Sequence, residues 1–147
     1  MFELKPPDDA DLPELIDLWV ESWQTLALDI DFSTRRGWLA DHLAVLKTQG
    51  TMIISAYAGH KMAGFITVHP HTGWLDQFAV HPDFIGSGVA FSLMQAAKSH
   101  APDMLTLDVN AVNSRAVTFY QRQGFIKTGE GINPRSGLMT WLMRWQA

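Results

Sequence analysis

The chain has 147 residues, 47% apolar and 18% charged, no cysteine, and a net charge of −4 from 11 Lys and Arg against 15 Asp and Glu. A length of this order makes one domain, expected over residues 1–147, and the lack of cysteine excludes a disulfide framework, a thiolate metal site and a cysteine nucleophile. Scattered basic residues argue against nucleic acid, no apolar run reaches the ~18 residues of a membrane span, and charges throughout the amino-terminal segment leave no signal-peptide core, so a cytoplasmic address is expected.

In chain order, residues 2–5 read as a short strand stopped by Pro6-Pro7. Leu12, Leu15, Ile16, Trp19, Trp23 and Leu26 then recur at steps of three and four, the spacing of one helix face, with Asp8, Asp9 or Asp11 available as caps. Ser33 or Thr34 is expected to cap a second helix, striped by Trp38, Leu39, His42, Leu43 and Leu46 and ending near Gly50. Residues 51–58 and 62–69 predict two strands joined by a hairpin turn at Ala58-Gly59-His60-Lys61. After a turn at His71-Thr72-Gly73, residues 74–80 predict one strand, 86–100 a helix, 105–109 a strand, and 114–123 a helix closed by Gly124. Residues 125–128 and 138–145 supply the last two strands. This order is an α/β layout with a mixed sheet and about four helices.

Two segments carry chemistry. In WLDQFAVHPDFIGSGVA, residues 74–90, a strand passes through His81-Pro82 into a small-residue loop that opens a helix. The first turn of a helix leaves N–H groups unpaired, and Gly86, Ser87 and Gly88 let an anion approach them without a side chain in the way. A P-loop would need Lys and then Ser or Thr where Val89-Ala90 stand, and a Rossmann fingerprint a small residue where Phe91 stands. The second segment is NAVNSRA at residues 110–116, followed by FYQRQGF at 119–125. Taken alone, Asn113 reads as a helix N-cap, and Tyr120 as a phenol that stays protonated at neutral pH, its ordinary pKa being about 10. His69, His71 and His81 read as turn or surface histidines, because the strand's alternation makes the first two diverge and no acidic ligand follows; no metal is expected.

Together the two segments resemble the acyl-CoA-binding motifs of the GNAT superfamily of N-acetyltransferases, and with the element order the resemblance runs over residues 2–145. It implies a mixed, mainly antiparallel sheet of about six to seven strands, whose central parallel strands splay apart to admit a pantetheine arm, and acetyl-CoA (coenzyme A) as the acyl donor. The family's loop pattern falls on Ile85, Gly86, Ser87, Gly88, Val89 and Ala90, whose backbone amides would hold the phosphates. Ile85 departs from it, since relatives carry Arg or Gln there, and weakened rather than abolished binding is expected. Phe78, Ala79 and Val80 would offer main-chain groups to the pantetheine amides in the manner of an added strand. Asn113 matches the residue that hydrogen-bonds the donor near its pantetheine arm, and Arg122 a place where relatives are basic near the nucleotide phosphates. Tyr120 matches the general acid that protonates the departing thiolate.

The resemblance implies direct transfer to the primary amine of a small molecule or peptide, with no covalent enzyme intermediate. Asp76 is the carboxylate nearest the expected reaction centre, as base or as a positioning group, and Glu130 is a further candidate for holding an amine. Trp19, Trp23, Trp38, Asp29, Asp31 and residues 131–137 would make an aromatic, mildly acidic pocket suited to a small cationic amine, although Trp19 and Trp23 lie on an apolar helix face and read first as core. A homodimer is compatible with the pattern. The rival reading is a non-catalytic acyl-CoA sensor or partner-binding domain; Ile85 favours it, and Tyr120, which a pure binder has no need to keep, argues against it.

Overall fold

A computed structural model describes residues 2–25 and 31–147, so Leu26 and Asp29 lie outside the described residues. The elements follow the order β1 (Glu3–Lys5), α1 (Leu12–Gln24), α2 (Arg36–Thr48), β2 (Met52–Ala58), β3 (Lys61–Val68), β4 (Trp74–Leu75), β5 (Phe78–Val80), α3 (Val89–His100), β6 (Met104–Asn110), α4 (Ser114–Arg122), β7 (Ile126–Ile132) and β8 (Met139–Gln146). Short 3-10 turns at Asp9–Asp11, Phe32–Arg35 and Pro82–Phe84 precede α1, α2 and the α3 loop. The α/β class, the mixed sheet and the four α-helices agree with expectation.

The single strand expected over residues 74–80 is two. β4 pairs parallel with β6, Trp74 opposite Thr106, whereas β5 pairs antiparallel with β3, Phe78 opposite Ile66. Among the described residues the strands therefore number eight, in two four-stranded sheets ordered β1-β2-β3-β5 and β4-β6-β8-β7. The break falls on Asp76-Gln77 and is held by Thr67, fully buried, whose Oγ1 accepts from the Asp76 N–H at 3.2 Å and the Gln77 N–H at 2.8 Å. A hydroxyl thus satisfies the two main-chain donors that leaving the ladder exposes. Because β5 ends the first sheet while β4 continues into the second, a gap opens between β5 and β6, which is the splay expected from the family resemblance.

Helices cover both faces. Leu15, Leu18 and Trp19 of α1 and Leu39, Leu43 and Leu46 of α2 pack on Ile53, Tyr57, Met62 and Phe65. Leu93, Met94 and Ala97 of α3 and Val117 of α4 pack on Ile54, Ile66, Val68, Leu105 and Leu107 from the other side. Neighbouring residues of β2 and β3 thus feed two cores, which explains why these strands read as near-continuous apolar runs.

Three boundaries differ from expectation for local reasons. α2 is preceded by a 3-10 turn whose N-cap is Asp31, its carboxylate accepting from the Ser33 N–H at 3.1 Å, so neither Ser33 nor Thr34 caps the helix. α3 starts at Val89 rather than residue 86, because Gly86 and Gly88 stand at φ +82° and +92°, outside helical backbone. β7 runs on to Ile132 through Gly129 and Gly131, which interrupt the strand signal; a Cβ at Gly129 would sit 3.2 Å from Leu142 Cδ1 across the pair.

Candidate active site

The gap between the sheets forms a cleft of about 380 Å³ walled by Phe78, Ala79 and Val80 of β5, by Phe84, Ile85, Gly86, Gly88, Ala90 and Phe91 of the loop and α3, and by Asn113, Arg115, Ala116, Phe119 and Tyr120 of α4. Among the described residues β5 has a ladder partner on one edge only, so main-chain groups of its other edge face this cleft. At the loop end, the N–H groups of Gly86, Gly88, Ala90 and Phe91 have no acceptor among the described residues, while that of Val89 meets Ser87 Oγ at 3.4 Å. A Cβ added at Gly86 or Gly88 would meet nothing within 4 Å, so both glycines border open space. Unpaired donors around an open, glycine-lined hollow fit a phosphate group.

The predicted donor-binding residues divide by what the fold does with them. Phe78, Ala79, Val80, Ile85, Gly86, Gly88, Ala90, Asn113 and Tyr120 are brought together on the cleft wall. Val89 is buried at 1% exposure and Ser87 turns its hydroxyl onto the Phe84 carbonyl at 2.5 Å, so each has only main chain to offer. Arg122 is exposed at the carboxyl end of α4 and is not on the cleft wall. Asn113 is the N-cap of α4, its Oδ1 accepting from the Ala116 N–H at 3.2 Å, which leaves the amide nitrogen for the cleft.

Tyr120 sits among the rings of Phe78, Phe119 and Phe125 at centroid distances of 6.3, 5.7 and 5.6 Å. Burial in these apolar surroundings pushes its phenol above the ordinary tyrosine value, so it remains protonated through neutral pH. No hydrogen bond occupies its hydroxyl among the described residues.

A second hollow, of about 420 Å³, adjoins the cleft and shares Asn113 and Arg115 with it. Its walls are Trp19, Trp23, Phe32, Trp38 and Gln77, closed by Asn133, Arg135, Ser136 and Leu138 of the β7–β8 loop. Trp19 is both core, at 4% exposure, and wall, its Nε1 donating to Gln77 Oε1 at 3.0 Å. The expected mild acidity is not found among the described residues. Asp31 is engaged by its own 3-10 turn, Glu130 pairs with Lys127 at 3.3 Å, and the described lining residues include Arg35, Arg115 and Arg135 but no carboxylate, Asp29 lying outside the described residues.

Asp76 lies behind this second hollow rather than in its wall. Its carboxylate accepts from Trp74 Nε1 at 3.0 Å and Gln77 Nε2 at 3.0 Å, and meets His42 Nε2 at 2.6 Å. Burial alone would raise this carboxyl, but the hydrogen bonds from His42, Gln77 and Trp74 outweigh it and hold the group below the ordinary aspartate value. His42 in turn stacks on Trp38, with ring centroids 4.6 Å apart. Sequence reasoning missed His42, Thr67 and Gln77. His42 had been placed on an apolar stripe, and only the packing of α2 against the strand break shows what its ring nitrogen meets. His69 and His81 serve turns: His69 Nδ1 accepts from the His71 and Thr72 N–H groups, and His81 Nδ1 from that of Asp83.

A split sheet with a glycine-lined anion cradle at one end, an unpaired strand edge along its length and a tyrosine in the wall is the architecture of an acyl-CoA-dependent acyltransferase. The chain matches the Acetyltransferase (GNAT) family over residues 12–125, and it belongs to that family of acetyl-CoA-dependent N-acetyltransferases. It is 25% identical over 151 residues to the peptidyl-lysine N-acetyltransferase YiaC of Escherichia coli K12, covering 92% of this chain and 91% of that one. It is also 44% identical to the peptidyl-lysine N-acetyltransferase YjaB of the same organism, over 55 residues that make up 37% of each chain. Among solved structures, the PaiA N-acetyltransferase of Thermoplasma acidophilum in complex with coenzyme A superposes with a TM-score of 0.79 at 17% identity, over 100% of this chain and 99% of that one.

Proposed function

We propose that the chain transfers the acetyl group of acetyl-CoA to a primary amine by direct attack, with Tyr120 as general acid. The observation that carries the reading is the joining of two hollows at Asn113 and Arg115, with Tyr120 in the wall of the first. The donor substrate supplies an activated thioester; the loop amides and the free edge of β5 would hold it, and Asn113 would fix its arm. The second hollow takes the acceptor. As the amine nitrogen bonds to the acetyl carbon and the carbon–sulfur bond breaks, the amine loses one proton and the sulfur gains one. Tyr120 gives its phenolic proton to the sulfur and is restored through solvent by the proton the amine releases. Because its phenol is held above the ordinary value, the alkaline fall in kcat is expected above a pH of about 10.

A base with its carboxylate held low by three hydrogen bonds is weak, so Asp76 acts on position: it orients Gln77, which faces the acceptor, and His42. Asp76→Asn is expected to lower kcat/KM for the amine about 10-fold, with acetyl-CoA affinity unchanged, as the charge is lost and one of the two oxygens that meet His42, Gln77 and Trp74 becomes an NH2 donor. An unaltered kcat/KM would remove Asp76 from the site.

Ile85, 43% exposed on the cleft wall, offers no charge to an anion. Ile85→Arg should tighten acetyl-CoA binding by about 3- to 10-fold at low salt, an advantage that shrinks as ionic strength rises; salt-independent affinity would show that the phosphates lie elsewhere. The reading as a whole is tested by calorimetric titration with acetyl-CoA and thiol release over a panel of amines that includes lysine peptides, the acceptors in the names of YiaC and YjaB. Binding without release for any amine would favour the acyl-CoA sensor, and no binding would overturn both.

A further inference from the structure

The charge of the acceptor hollow runs against that of the chain. The whole sequence carries a net charge of −4, yet among the described residues the lining holds Arg35, Arg115 and Arg135 and no carboxylate. None of these three guanidinium groups has an ion pair among the described residues, whereas Arg36, next in sequence to Arg35, pairs with Asp17. Two of them rest on the aromatic wall: the Arg135 guanidinium lies 3.5 Å over the Trp38 ring and that of Arg35 lies 4.9 Å from the Phe32 ring. Trp19 stands between these rings, with centroids 6.1 Å from each. The wall is therefore a run of three aromatic rings with an unpaired arginine at either end. A guanidinium stacked by its face on an aromatic ring keeps its N–H edge free, the geometry that takes a carboxylate in a two-pronged hydrogen bond.

We infer that the acceptor is a small amine that carries its own carboxylate beside a flat apolar group, an apolar or aromatic α-amino acid being the simplest case, with Arg35 and Arg135 holding the carboxylate against the Phe32, Trp19 and Trp38 wall. The inference rests on the acetyl-transfer reading for the word acceptor, but the charge preference of the hollow stands without it. Arg35 and Arg135 line this hollow and not the cleft that holds the glycine loop, whereas Arg115 lines both, so the first two stand apart from the phosphate cradle. A hollow of about 420 Å³ also suits one small molecule. A cationic amine with no anionic group would meet three like charges.

The test uses the intact chain and the fluorescence of its own wall tryptophans, titrated with N-acetylphenylalanine and with N-acetylphenylalaninamide, which differ by one negative charge. The carboxylate is expected to bind about 10-fold more tightly, and Arg135→Gln and Arg35→Gln, singly and together, are expected to erase that margin. Equal binding of the two ligands, tighter binding of the amide, no response to either, or a margin that survives both substitutions would overturn the inference. So would a lysine peptide with uncharged neighbours acetylated with higher kcat/KM than phenylalanine. Acetyl-CoA titration is run in parallel: its failure sinks the transferase reading, while the two product analogues still decide the charge preference because neither needs the donor.

Discussion

Tyr120→Phe is expected to lower kcat about 10²- to 10⁴-fold while leaving the acetyl-CoA dissociation constant within about 2-fold of wild type. The substitution removes one hydroxyl and keeps the ring, and the ring is what packs against Phe78, Phe119 and Phe125. Since the hydroxyl has no hydrogen bond among the described residues, nothing in the fold is left unpaired by its loss, and the melting temperature should hold. This separates an acid from a packing residue: a structural role would show in stability and donor affinity, a chemical role in kcat alone. Pre-steady-state thiol release settles which step slows. If turnover is unchanged, Tyr120 is not the acid and the sulfur takes its proton from water.

Gly73→Ala should be the most damaging substitution for the fold, costing about 3–5 kcal/mol and lowering the melting temperature by about 10 °C. Gly73 has φ +75°, and a Cβ there would stand 2.1 Å from the Met104 carbonyl oxygen and 3.0 Å from its carbon. The obstacle is backbone, so no rotamer change relieves it. The position is also where the second sheet begins: the Gly73 carbonyl accepts from the Thr106 N–H at 2.9 Å, one residue before Trp74 pairs with Thr106. Forcing the two segments apart would loosen the parallel β4–β6 pair on which the cleft depends, so donor affinity should fall with stability. Gly86→Ala is the control, with φ +82° but open space around the added Cβ; its stability cost is limited to backbone strain of about 1 kcal/mol. Equal melting temperatures for the two variants would contradict the described junction.

Much of the chain was legible in its sequence because the signals are local. The apolar spacing of Leu15, Trp19 and Leu39, the two-residue hairpin turn at Gly59-His60 and the glycine at Gly124, with φ +96°, each depend on residues a few positions away. The cleft proposed for the donor was legible for the same reason. Its loop needs particular backbone freedom at Gly86 and Gly88, and its helix a cap at Asn113, both of which short spacing reveals. Strand alternation, in contrast, carried no sign of the break at Asp76-Gln77. That break is held by Thr67, which belongs to another strand.

By itself, then, the sequence determined the α/β class, the order of elements, the family and most of the residues lining the cleft between the sheets, since each follows from local backbone preference and motif spacing. Tertiary structure alone decided which charged side chains among the described residues line the second hollow, what Asp76 bonds to and the position of Arg122 off the cleft wall. Arg35, Arg115 and Arg135 lie on three segments far apart in the chain; Asp31, which with Asp29 had suggested acidity, and Glu130, a candidate for holding an amine, are each turned to a local partner. The field in a pocket is set by which side chains meet in space and which are already paired, and neither can be read from spacing along the chain.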